Sequence, residues 1–184
     1  MSHASLPQPM IGFVRLVDRM NYGVGRFAMY LLFVLMAILM WSSISKIFFN
    51  PSLWTLEMAQ FVMVAYYVLG GPYAMQMEAH VRMDLFYAKQ SPKRRAVWDG
   101  FTVLVVVFYM GVLIWGAAES LGYALGLTWV DGWPQIGRLE RSPTAWRPYL
   151  WPIKLVMLVG FTLMLLQALS AFIRDLATMR GETI

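Results

Sequence analysis

Residues 27–45 read FAMYLLFVLMAILMWSSIS, 19 consecutive positions without Asp, Glu, Lys, Arg or His. At about 1.5 Å of rise per residue, a helix of that length covers roughly 28 Å, the thickness of a bilayer's hydrocarbon core. A core helix of a soluble protein would keep a polar face, and this run has none. Three further runs share the property: 58–77 (20 residues), 100–118 (19) and 155–173 (19). With their flanks, the expected spans are 27–47, 56–77, 98–122 and 151–173. The first follows Arg15, Arg19 and Arg26 and so imitates a signal peptide. Its uncharged length exceeds the roughly 7–15 apolar residues of a signal core, and no Ala-x-Ala cleavage site follows. The sequence therefore predicts an all-α integral membrane protein: four transmembrane helices forming one membrane domain over 1–184.

Composition agrees. Of 184 residues, 59% are hydrophobic and 14% charged, against roughly 25% charged in an average soluble domain. The net charge of +5 does not point to nucleic acid, because the basic residues sit in short clusters between apolar runs, as orientation signals do. One set of flanks holds Arg15, Arg19, Arg26, Arg82, Lys89, Lys93, Arg94, Arg95, Arg174 and Arg180, ten in all. The other holds Lys46, Arg138, Arg141, Arg147 and Lys154, five in all. The positive-inside rule then places both termini and the 78–99 connection in the cytoplasm. Short amphipathic helices at 11–25 and 79–90 suit the headgroup layer, where membrane lipid is the partner. The 127–148 connection on the outer side carries Trp129, Trp133 and Trp146 with Pro134, Pro143 and Pro148. It is too aromatic and too rich in proline to be a plain linker.

Several chemistries lack their residues. With no Cys there is no disulfide, thiolate metal site or covalently attached haem. A haem held by two imidazoles needs both inside the membrane, and the chain has only His3 and His80. A self-sufficient proton- or ion-coupled carrier needs an ionisable group deep in a span, and the four runs contain none. No P-loop, nucleophile elbow or zinc motif occurs. No catalytic residue, metal or cofactor is expected.

The remaining polar and small residues mark candidate contacts. Gly70-Gly71-Pro72 interrupts the second span, a break suited to close approach of another helix. Gly70 with Ala74, Gly116 with Ser120 and Gly122 with Gly126 are small pairs four apart. Lys46, Glu57, Glu119 and Lys154 sit at the outer ends of spans, where they snorkel to the headgroups; alternatively Glu57 or Glu119 pairs with Lys154 and fixes helix order. On the inner side, Glu78, His80, Arg82 and Asp84 crowd directly behind the second span. They form either a solvated helix end or an ion-pair network.

Three blocks resemble a known family. They are Glu57 followed by Tyr66-Tyr67-Val68-Leu69-Gly70-Gly71-Pro72-Tyr73-Ala74; the segment Glu78-Ala79-His80-Val81-Arg82-Met83-Asp84; and Ser142-Pro143-Thr144-Ala145-Trp146-Arg147-Pro148-Tyr149-Leu150-Trp151-Pro152-Ile153-Lys154. In order and spacing they resemble the small, DctQ-type membrane subunit of tripartite ATP-independent periplasmic (TRAP) transporters. That family usually opens its second span with two adjacent acids, whereas here Leu56 precedes Glu57. The resemblance implies a subunit in the inner membrane of a bacterium or archaeon. Its partners would be a large membrane subunit, carrying the substrate and sodium sites, and a periplasmic substrate-binding protein delivering an organic acid. The small subunit would then be a scaffold, with Trp129, Trp133, Trp146 and Arg147 facing the binding protein. Two other classes remain open at this stage: a membrane anchor for a redox enzyme, and a small exporter acting as an oligomer.

Overall fold

The computed structural model describes residues 8–77, 92–130 and 133–179, with the backbone alone at 92–101, 128–130, 133–136, 175, 176, 178 and 179. Four helices follow one another: α1 (Gln8–Phe48), α2 (Thr55–Gln76), α3 (Pro92–Ala124) and α4 (Trp151–Met179). Between α3 and α4 lies a two-stranded antiparallel hairpin of β1 (Leu127–Val130) and β2 (Trp133–Ile136), with Leu127 opposite Ile136 and Val130 opposite Trp133. The helical class expected from the sequence stands, with this hairpin as an addition. α1 packs most extensively on α2, and α4 lies against all three other helices. Among the described residues α1 runs antiparallel to α2 and α3 to α4, giving the bundle a hairpin end and a termini end, where α1 begins and α4 finishes.

Three helices contain stretches long and apolar enough to cross a membrane: α1, α3 over Thr102–Ala124, and α4 over Trp151–Arg174. α2 falls below that level because Glu57, Gln60, Gln76, three tyrosines and Gly70-Gly71-Pro72 dilute its apolar residues. The accessible surface is 13581 Å², against roughly 9,000 Å² for a folded soluble monomer of this mass. Among the described residues the exposed surface includes large apolar side chains such as Phe33, Met40, Leu104, Phe108 and Trp115. Such a surface requires hydrocarbon or a partner around it.

α1 is one uninterrupted helix of 41 residues, about 60 Å long. The interfacial helix at 11–25 and the span at 27–47 are thus a single element. No proline separates them, and nothing else in that stretch releases the hydrogen-bond ladder. The inward positions Val14, Val17, Asn21, Val24, Ala28, Leu31, Leu35, Ile38, Ser42 and Ser45 recur by alternating threes and fours, and none is exposed. That repeat keeps one seam of α1 against its neighbours along nearly its whole length.

Two glycines set how closely the helices approach. A Cβ on Gly25 would lie 2.3 Å from the Cβ of Tyr73, so α1 and α2 meet there. A Cβ on Gly160 would lie 2.2 Å from Val68 Cγ1 and 3.0 Å from the Val68 carbonyl oxygen. That carbonyl is four residues before the buried Pro72, which has no N–H to offer it. α4 therefore approaches the α2 backbone closely where proline has opened the ladder. At the hairpin end, Gly126 turns the chain out of α3 with φ 62°, and a Cβ there would meet the Arg138 carbonyl oxygen at 2.8 Å.

Candidate functional site

Two polar clusters hold the ends of the bundle, roughly 30 Å apart along α1 from Asn21 to Ser42. At the hairpin end, the buried carboxylate of Glu57 sits in the first turn of α2, where the helix dipole favours an anion. Its Oε1 accepts a hydrogen bond from Ser142 Oγ at 2.7 Å and another from the Thr144 hydroxyl. Both donors belong to the segment between β2 and α4, whose backbone is itself paired. Ser142 N–H donates to the Pro148 carbonyl at 2.9 Å and Leu150 N–H to the Glu140 carbonyl at 3.3 Å. Glu140 N–H in turn donates to the Ala124 carbonyl at 2.9 Å, tying the segment to the end of α3. Beside it, Ser52 Oγ donates to Thr55 Oγ1 at 3.0 Å, and Thr55 Oγ1 lies 3.2 Å from Ser42 Oγ, clasping α1 to α2.

Lys154, in the first turn of α4, completes this end. Its Nζ lies 2.5 Å from Glu140 Oε2, 3.3 Å from the Ser120 carbonyl oxygen and 5.6 Å from the centre of the Tyr123 ring. The expected choice between snorkelling and pairing with Glu57 or Glu119 is settled otherwise, since its carboxylate partner is Glu140. The reason is reach: the 137–150 segment folds back over the end of α3 and brings Glu140 beside Lys154, while Glu57 is held by Ser142 and Thr144. Between these anchors the segment projects an exposed tip. Trp146 is 40% exposed there, and Arg147 holds φ 51°, a left-handed backbone that a non-glycine residue adopts only when its surroundings impose it. Arg141 donates to the Tyr149 hydroxyl and lies 4.4 Å from the centre of its ring, bracing the base of the tip.

At the termini end, Asp18 of α1 is the centre of a cluster spanning three helices. Its carboxylate pairs with Arg174 and accepts hydrogen bonds from Gln167 Nε2 at 3.3 Å and Ser170 Oγ at 3.5 Å, all from α4. Its backbone carbonyl accepts from Gln76 Nε2 of α2 at 3.3 Å. One turn further in, Asn21 Nδ2 donates to Gln167 Oε1 at 2.5 Å, with both side chains fully buried. Sequence reasoning missed this cluster. Within the stretch expected to lie in the headgroup layer, Asp18 turns inward while Arg15 and Arg19 turn out. The available signal was Asn21, Gln167 and Ser170, the polar residues within otherwise apolar surroundings.

The remaining expected positions separate. A Cβ on Gly71 would meet Met164 Sδ at 3.2 Å, so α4 does approach there, but beside Gly70 and Gly116 nothing lies within 4 Å. Gly122 would reach only Leu127, at 3.8 Å. Trp129 and Trp133 fall in β1 and β2, Trp129 opposite Pro134. Glu78, His80, Arg82 and Asp84, and the helix expected at 79–90, lie outside the described residues.

The fold and its clusters define a class: a multi-pass helical membrane protein whose described interior polar groups bind helix to helix. The chain matches, over residues 35–178, the family described as "Tripartite ATP-independent periplasmic transporters, DctQ component". It belongs to that family, and so to the small membrane components of TRAP transporters. Neither a curated protein nor a solved structure matches it. Membership sets aside the redox anchor, since the family is a transporter component rather than a group of enzymes.

Proposed function

We propose that this chain is the fixed scaffold subunit of a sodium-coupled TRAP transporter for organic acids, set in the inner membrane with both termini in the cytoplasm. The observation that carries the reading is how the interior polar groups are used. Asp18, Gln167 and Ser170 are joined across α1 and α4, Glu57 is capped by two hydroxyls, and Lys154 is paired with Glu140. Groups committed to holding helices together are poorly suited to binding and releasing an ion in each cycle. α2 crosses the membrane as a fourth span. It is 22 residues long, about 33 Å, and its lower apolarity is supported by burial between α1 and α4.

Substrate and sodium sites then reside in a large membrane subunit. The apolar faces of α1 and α3, with the open small residues Gly70 and Gly116, offer that subunit a surface. The hairpin and the Trp146–Arg147 tip face the periplasm, where the substrate-binding protein docks. The positive-inside count puts the 78–99 connection, with Glu78, His80, Arg82 and Asp84 in its sequence, on the cytoplasmic side. Uptake into vesicles tests the assignment. Vesicles carrying this chain with its membrane partner, supplied with the binding protein and an inward sodium gradient, are expected to accumulate substrate. Vesicles carrying this chain alone are not; sodium-driven uptake by this chain alone would overturn the scaffold reading.

A further inference from the structure

The outward face of α1 carries a second pattern. Arg15, Arg19, Tyr22, Arg26, Met29, Phe33, Met36 and Met40 recur by alternating fours and threes, which places them on one side of the helix, away from the buried seam. All eight are exposed. The first half of the row is cationic and aromatic, the second half wholly apolar. The change falls at Arg26, 20 residues or about 30 Å before Lys46, so it coincides with a hydrocarbon boundary on the termini side.

The geometry at that boundary is specific. Arg26 bends back toward the termini end: its guanidinium lies 3.4 Å from the Tyr22 hydroxyl and 5.8 Å from the Tyr22 ring centre. Tyr22 is propped by Tyr73 of α2, with ring centres 6.0 Å apart. Arg26 is thus set beside a tyrosine hydroxyl propped by a second helix, and Arg19, exposed one turn before Tyr22, lies on the same face. Among the described residues, no acid pairs with Arg15, Arg19 or Arg26. Guanidinium groups with no acid partner among the described residues can take an external anion, and their forks suit phosphate oxygens. The strip Met29, Phe33, Met36 and Met40 continues along the same face for about 21 Å beyond Arg26, as an acyl chain attached to that phosphate would.

We propose that this face of α1 is a binding site for an anionic phospholipid. The headgroup phosphate is held by Arg19, Arg26 and the Tyr22 hydroxyl, Arg15 adds charge further out, and an acyl chain lies along Met29, Phe33 and Met40. The site depends on the chain lying in a membrane, and it holds whether or not a large subunit does the transport.

The test uses the full-length chain, delipidated in a neutral detergent and titrated separately with phosphatidylglycerol, phosphatidylcholine and inorganic phosphate while its thermal midpoint is followed. Phosphatidylglycerol is expected to raise the midpoint by about 3 °C or more, with no comparable effect of the other two. The double variant Arg19→Gln/Arg26→Gln should lose the shift while keeping the lipid-free midpoint, and the control Arg147→Gln should keep both. Arg26→Lys, retaining charge without the fork, should give a reduced shift. An equal response to phosphatidylcholine, or a full response in the double variant, would overturn the site. A response to inorganic phosphate equal to that of phosphatidylglycerol would make it a free-anion site instead. A lower lipid-free midpoint in the double variant would show that the arginines serve an internal contact, such as with the acids of 78–91, and would also count against the lipid.

Discussion

At the scale of single residues, Gln167 does the most with the least. One carboxamide bridges Asn21 and Asp18, so α4 is fixed to two successive turns of α1. Gln167→Leu keeps the volume and removes both bonds, stranding the buried amide of Asn21. A cost of about 1–3 kcal/mol is expected, read as a fall in thermal midpoint of several degrees; an unchanged midpoint would contradict the role. Glu57 makes a different prediction. Glu57→Gln keeps an acceptor for Ser142 and Thr144, whereas Glu57→Ala leaves both hydroxyls without it. Hydrogen exchange at the Ser142 and Leu150 amides should therefore quicken in Glu57→Ala and stay near native in Glu57→Gln. Equal exchange in all three proteins would show that the carboxylate does not hold the tip. The importance of Glu57 and Lys154 was legible from sequence, because a charge at the end of an apolar run always needs an explanation. Their partners were not legible. Ser142, Thr144 and Glu140 lie far from Glu57 or on a segment whose return path the sequence does not declare. Asp18 was not legible as an interior residue because periodicity alone does not say which face of a helix is covered.

At the scale of elements, the long apolar runs located α1, α3 and α4 directly, since length without charge has few meanings. Their extents were less visible. The arginines before residue 27 suggested a boundary, but charge does not end a helix, and α1 runs through them. The hairpin was missed although Val130-Asp131-Gly132-Trp133 carries Asp-Gly, a strong short-range hairpin signal when flanked by β-formers; Pro134, directly after it, argues against a strand because proline cannot donate to a ladder. Close approach was expected at Gly70-Gly71-Pro72 and α4 does come near at Gly71, but nothing lies beside Gly70 and tighter contacts fall at Gly25 and Gly160, because small-residue spacing marks where helices can approach and not where they do. The Gly160 contact yields a prediction. Gly160→Ala should force α4 away from Val68 and cost about 1–3 kcal/mol by overpacking. Adding Val68→Ala should restore only part of the loss, since the Val68 carbonyl stays 3.0 Å from the new Cβ. Complete rescue would place the whole cost on the valine side chain and deny the backbone approach.

At the scale of the whole molecule, the chain has too much apolar surface for its size, and its described interior charges are held by neighbours. Those two facts fit a subunit that stands still in lipid and is completed by another membrane protein. The membrane class and the family were both readable from the sequence, since uncharged runs and ordered motif blocks survive without coordinates. What the sequence could not supply was the reason the interior polar groups are idle, because that lies in pairings between residues up to 156 positions apart. If this chain is completed by a large membrane partner, the two should be recovered together. The decisive measurement is to tag this chain, co-express it with the products of its neighbouring reading frames, extract it gently and determine the mass and composition of what is recovered. A stable complex with one larger polytopic protein is expected. Recovery of this chain alone, as a stable homo-oligomer with that partner present in the same membrane, would contradict it.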